Sequence, residues 1–153
     1  MKKFKFTLQT IHNVREMKQE RETTILAALN AEMKEAQERV ANLEARRLEA
    51  MDIYALKLTS GEALHPMEME LNANHFASLN RLQKEAESAL EQKRTEFRLQ
   101  SQRVAAAMRE VKVTERLRTV QEERHQTEFQ REEQNTSDEL VATSFARRLI
   151  QTK

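Results

Sequence analysis

Glycine and proline occur once each in 153 residues, as Gly61 and Pro66, within one short stretch. A fold of several short elements needs a turn every ~10–20 residues, and turns favour Gly, Pro, Asn or Asp. Only Leu58-Thr59-Ser60-Gly61-Glu62-Ala63-Leu64-His65-Pro66 is a credible place for this chain to reverse. Gly61 can take the left-handed conformation that ends a helix. Pro66 suits the first turn of a second helix, where its missing N–H costs nothing. Glu68 and Glu70 then fall near the positive end of that helix dipole. Asn72 and Asn74 are further possible caps, so the second helix can start as late as Asn74.

The segments on either side carry the helical repeat. Before the turn, a 3–4 spacing runs Leu26, Leu29, Met33, Ala36, Val40, Leu43, Arg47, Ala50, Tyr54, and only Arg47 is polar. After it, the same spacing runs Phe76, Leu79, Gln83, Ala86, Leu90, Lys93, Phe97, Gln100, Val104, Ala107, Val111, interrupted by Gln83, Lys93 and Gln100. A heptad stripe sustained this long predicts coiled coil. Beyond Val111 the stripe resumes as Val113, Leu117 and Val120, a phase slip of the kind a stutter produces. The composition agrees: 33% of residues are charged, aromatics are 5%, and Trp and Cys are absent. Such a balance with a helical repeat marks long helices. The expected fold is all-α, a long antiparallel two-helix coiled coil (a helical hairpin) with the second helix the longer. As a single coiled-coil domain over residues 1–153, helix one spans about 7–58, the turn about 59–66 and helix two about 67–148.

Folding the chain at the turn sets Tyr54 opposite Phe76, Leu43 near Ala86, Leu26 near Val104 and Leu8 near Glu122. Helix one is then used up, and an unpaired overhang begins at about 121. Its roughly 30 residues extend about 45 Å as helix, at ~1.5 Å per residue. From Gln121 to Glu139 its one apolar residue is Phe129. Leu140, Val141, Phe145, Leu149 and Ile150 follow, with Val141, Phe145 and Leu149 at i, i+4, i+8 spacing. An apolar tip beyond a polar helix is a place to look for docking.

Several function classes are disfavoured. Basic and acidic side chains number 26 and 25, whereas nucleic-acid binders carry a clustered basic excess. The longest apolar runs, 25–29 and 104–108, are too short to span a bilayer. Met1-Lys2-Lys3-Phe4-Lys5-Phe6 is basic but has no apolar stretch behind it, unlike a secretory signal. One glycine cannot build a phosphate-binding loop. No cysteine nucleophile is present, and no serine lies in a Gly-x-Ser-x-Gly setting. Glu62-x-x-His65 and Glu122-x-x-His125 match di-iron spacing, but that chemistry needs four helices around one core, and these pairs fall at opposite ends of the hairpin. His12 and His75 read as isolated surface histidines. Thus no catalytic residue, metal or cofactor is expected.

Both ends carry motifs. The first is Phe4-Lys5-Phe6-Thr7-Leu8-Gln9-Thr10-Ile11-His12-Asn13-Val14-Arg15-Glu16, followed by Glu20 and Glu22. The second is Glu115-Arg116-Leu117-Arg118, then a Glu/Arg run holding Phe129, then Glu133-Gln134 and Asp138-Glu139-Leu140. Together they resemble the bacterial flagellar export protein FliJ family along the whole chain. Asn135-Thr136-Ser137 departs from the family pattern, which more often keeps long helix formers there.

The resemblance implies a soluble, non-enzymatic component of flagellar type III protein export, similar in form to the central stalk of rotary ATPases. It implies a cytoplasmic protein, peripheral at the inner membrane through the export apparatus. The implied partners are the hexameric export ATPase, the cytoplasmic domain of the export gate, and export chaperones whose recycling it assists. Residues expected at the ATPase ring are Phe4, Phe6, Leu8, Leu117, Phe129, Glu133, Asp138, Glu139 and Leu140. Those expected at the gate are Phe76, Leu79 and Leu82. Leu8, Phe76, Leu79 and Leu117 also read as seam residues. The alternatives are the equivalent stalk of a virulence-type secretion system, a structural coiled-coil scaffold or a holding chaperone.

Overall fold

The structure, a computed structural model, describes residues 4–151. Met1, Lys2 and Lys3 of the basic N-terminal stretch lie outside the described residues. Helix α1 runs Gln9–Thr59 and helix α2 runs Pro66–Gln151. Their lengths are 51 and 86 residues.

The reversal is built as the two breakers require. Gly61 has φ +73°, open to glycine and strained for other residues. The last carbonyls of α1 are satisfied locally. Thr59 Oγ1 donates to Ala55 and Leu56, Ser60 Oγ to Lys57, and Ser60 N–H to Leu56. Helix α2 starts at Pro66, not at Asn74, because His65 already caps it. The His65 carbonyl accepts from Glu68 and Met69 N–H at 2.9 and 3.2 Å, and its Nδ1 accepts from Met67 N–H at 3.3 Å.

The chain divides into two packed units, one of Glu20–Ala106, the other of Met1–Gln19 with Ala107–Lys153. In the Glu20–Ala106 unit, Tyr54 meets Phe76 edge-on with ring centroids 6.1 Å apart. Lys93 Nζ lies 2.7 Å from the Glu32 carboxylate. The Gln100 amide donates to the Glu22 carbonyl at 3.0 Å and to its carboxylate at 2.5 Å. Partners rise along α2 as they fall along α1, so the helices are antiparallel. Every position of the two stripes within this unit is buried or half-buried. Full burial falls on α2, at Leu79, Ala86, Leu90, Gln100 and Val104. Each large apolar residue so buried contributes about 1.5–3 kcal/mol.

In the other unit the seam keeps its phase. On α1 and just ahead of it, Gln19, Arg15, His12 and Leu8 follow one another at spacings of four, three and four, all buried or half-buried. On α2 the heptad continues from Val111 to Thr114, which is 1% exposed. The expected slip to Val113, Leu117 and Val120 does not occur there: Val113 and Leu117 are exposed, and only Val120 is half-covered.

The reason is His12, which is 5% exposed and not a surface histidine. Thr114 Oγ1 lies 2.8 Å from the Val111 carbonyl. The same hydroxyl is hydrogen-bonded to His12 Nδ1 at 2.8 Å, and His12 Nε2 lies 3.2 Å from the Glu16 carboxylate. A buried imidazole needs such a partner, and a threonine in phase supplies it where a valine out of phase cannot. The contact also moves the pairing about one turn from the register that would set Leu8 opposite Glu122. Beside it, Arg15 Nη1 donates to the Glu110 carbonyl at 2.9 Å, and Lys18 Nζ reaches the Glu110 carboxylate at 3.2 Å.

Two predictions follow from these polar contacts. Thr114→Val keeps the shape but leaves the buried His12 Nδ1 without its hydrogen-bond partner. It should destabilise the protein by about 1–3 kcal/mol in urea unfolding, and His12→Leu added to it should recover most of the loss. A neutral Thr114→Val would mean the bond carries no weight.

The second concerns Lys93, held above the ordinary lysine value near 10.5 chiefly by its hydrogen bond to Glu32, then by that to Glu96. A base that binds its proton more tightly when folded stabilises the fold below its unfolded value. That contribution is lost as pH rises through the raised value. Glu32→Gln should therefore lower the Lys93 titration midpoint, read by NMR of the side chain. An unchanged midpoint would show that Glu32 does not hold the ammonium.

Candidate partner-binding surfaces

The two groups of expected contact residues fall in different packed units. In the unit containing both chain ends, residues 4–6 precede the helix and the chain turns at Thr7 and Leu8. Phe6 is buried and Leu8 half-buried. Phe4 stands edge-on to His125 with ring centroids 5.7 Å apart. An extended chain advances about 3.3 Å per residue against 1.5 Å in a helix, so a few N-terminal residues travel far along α2. Phe4 thereby reaches His125, and Gln121, His125 and Phe129 are half-covered.

From Gln130 to Ile150 every residue is exposed. Glu133, Asp138, Glu139 and Leu140 all lie on this part of α2, and Leu140 is 68% exposed. Val141, Phe145 and Leu149 keep their i, i+4, i+8 spacing with their apolar surface open. The helix persists through Asn135-Thr136-Ser137, where Thr136 Oγ1 donates to the Glu132 carbonyl at 2.8 Å. Leu117, 42% exposed, lies apart from that segment. Ile11, Val14 and Met17 on α1 are exposed as well.

Of the residues expected at a gate, Phe76 is half-buried against Tyr54. Leu79 is 7% exposed, so its side chain is spent on the seam. Leu82 is on the rim of an open cleft of about 440 Å³, floored by Ala36, Ala86 and Ala89 and edged by charged residues including Glu32, Arg39 and Lys93. A second groove, of about 550 Å³, is mostly apolar and opens beside Phe76 between Arg47, Met51, Tyr54, Leu58 and Asn80. Around the turn, Leu48, Ile53, Leu56, Met67, Met69 and Leu71 are exposed too. Periodicity alone does not single out this groove, because Met51 and Leu58 lie off the stripe.

The arrangement is suited to protein contacts. Among the described residues no group of His, Cys, Asp or Glu is placed to hold a metal ion. Glu122 and His125 remain one helix turn apart with no second pair beside them. Neither helix is long and apolar enough to cross a membrane, over the described residues.

A family model described as "Flagellar FliJ protein" matches residues 4–149. No curated protein and no solved structure matches the chain. The match takes in both end motifs, both helices and the turn. With two packed helices of unequal length and a family match over nearly its whole length, the chain belongs to the flagellar FliJ protein family.

Proposed function

We propose that this chain is a non-enzymatic stalk of the flagellar type III export apparatus, acting in the cytoplasm at the inner face of the inner membrane. It engages the hexameric export ATPase through the unit that holds both chain ends. It meets the cytoplasmic domain of the export gate through the Phe76 end of the other unit, and it assists the recycling of export chaperones. The observation that carries this reading is the exposed segment 130–150. A helix of this length with an apolar stripe and no cover gains from a partner, because burying that stripe is worth about 25 cal/mol per Å².

The assignment of residues follows from what is free to touch. Glu133, Asp138, Glu139 and Leu140 are open along the uncovered segment, with Leu117 and Phe129 nearer the seam. Phe4, Phe6 and Leu8 take part by fixing the N-terminal segment that meets His125. Charged groups on the segment steer the encounter and set its specificity more than its strength. On the gate side Phe76 and Leu82 offer surface, while Leu79 holds the seam beneath them. The family match, to a flagellar protein, favours this reading over the virulence-type stalk.

Deleting the chain from Gln130 removes the exposed run 130–150. Circular dichroism should still report a helical hairpin. Binding to the cognate export ATPase in a pull-down should fall by about ten-fold or more, a loss of about 1.4 kcal/mol or more. Binding to the gate domain should persist. ATPase binding that survives the deletion would move the interface elsewhere, and a full-length chain that bound neither protein would end the stalk reading.

A further inference from the structure

Most polar residues in the seam have found partners, and Arg47 has not. It occupies a heptad position of α1 in the Glu20–Ala106 unit and is half-buried. Its Nε is shut off from solvent and has no hydrogen-bond partner. A buried donor left in this state is costly. Counting one heptad along from the Tyr54–Phe76 contact pairs Arg47 with Gln83 in register. Its amide nitrogen donates to Glu87 at 3.0 Å, and its Oε1 is also without a partner. The donor and the acceptor are left apart. A neutral amide answers one N–H and none of the charge, whereas a carboxylate answers two N–H groups side by side together with the charge.

Arg47 also forms one end of the apolar groove of about 550 Å³ lined by Met51, Tyr54, Leu58, Phe76 and Asn80. No carboxylate lines that groove, so the guanidinium is its one charge. Met51 and Leu58 are half or more exposed along its wall. Methionine adapts its shape to what covers it. A furrow between two antiparallel helices has the form that receives a third helix by its apolar face.

We propose that this groove binds an amphipathic helix of a protein partner that carries an acidic side chain among its apolar ones, with that carboxylate paired to Arg47. The inference deepens the reading of the Phe76 end as a protein-docking surface and rests on it. The apolar residues supply the burial, and the acid selects the partner and fixes its register. A charge without a partner in the free protein gains one on binding, so the seam carries a residue that favours recognition over stability.

The test uses the full chain and two fluorescein-labelled synthetic helical peptides. One has Leu at i, i+4 and i+7 with Glu at i+3, and its twin has Gln in place of Glu. Fluorescence anisotropy should show the Glu peptide binding about ten-fold tighter than the Gln peptide. Arg47→Gln should abolish that preference while leaving the Gln peptide unchanged. Met51→Asp should remove the binding of both. Arg47→Leu should raise the melting temperature, because the seam loses an unsatisfied donor. Equal binding of the two peptides, no binding of either, a preference that survives Arg47→Gln, or a melting temperature lowered by Arg47→Leu would each overturn the proposal. No export protein enters this assay. A Glu preference with no binding to ATPase or gate would remove the stalk reading and leave the groove standing, and the reverse outcome would do the opposite.

Discussion

Two helices packed along one seam cover each other from one side only. Everything else in this protein depends on that constraint. A residue on the seam can be shielded by its opposite neighbours and by nothing behind it, so full burial is reached at few positions. On α2 it is reached at Leu79, Ala86, Leu90, Gln100, Val104, Ala107, Val111 and Thr114. On α1 the one buried residue is His12. A break in heptad phase would turn the stripe away from its only cover. Phase is therefore kept where it costs apolar character. From Glu22 back to His12 the stripe of α1 is entirely polar, and it still faces α2.

Polar seam residues are tolerated when each finds a defined partner. His12 has the Thr114 hydroxyl, Arg15 the Glu110 carbonyl, Gln100 the Glu22 carbonyl and carboxylate, and Lys93 the Glu32 and Glu96 carboxylates. Such contacts add little net stability each, but a slip of register would strand several buried groups at once. Apolar contacts between long helices discriminate registers poorly, because one leucine resembles the next. These hydrogen bonds supply the discrimination. Arg47, with a buried Nε and no partner, is the exception that sets its groove apart.

The seam leaves two kinds of surface uncovered. In one unit that surface is the exposed run 130–150. In the other it is the apolar groove beside Phe76 and the exposed residues around the turn. The surfaces differ in kind. The C-terminal run is charged first and apolar at its tip, whereas the groove is apolar with one cation.

Much of the fold was legible in the residue order, and the reason is local. One glycine and one proline leave one reversal, Gly61 adopts the left-handed turn that its lack of a side chain permits, and 3–4 spacing on both sides leaves one pairing geometry. The family was legible for a similar reason, since both end motifs are contiguous runs. Pairing across the seam was not. The stripe looked as if it slipped to Val113 and Leu117 because hydrophobicity marks only apolar positions, and Thr114 declares itself a seam residue only through His12, 102 residues away in sequence. For the same reason nothing in the residue order marks His12 as buried. The start of α2 at Pro66 is set locally, by a His65 cap that the usual capping residues do not announce. Sequence by itself determined two helices, one turn and the family. Only the tertiary structure decided which polar side chains are paired and which, like Arg47, are left waiting, because a hydrogen bond depends on distance in space and not on order along the chain.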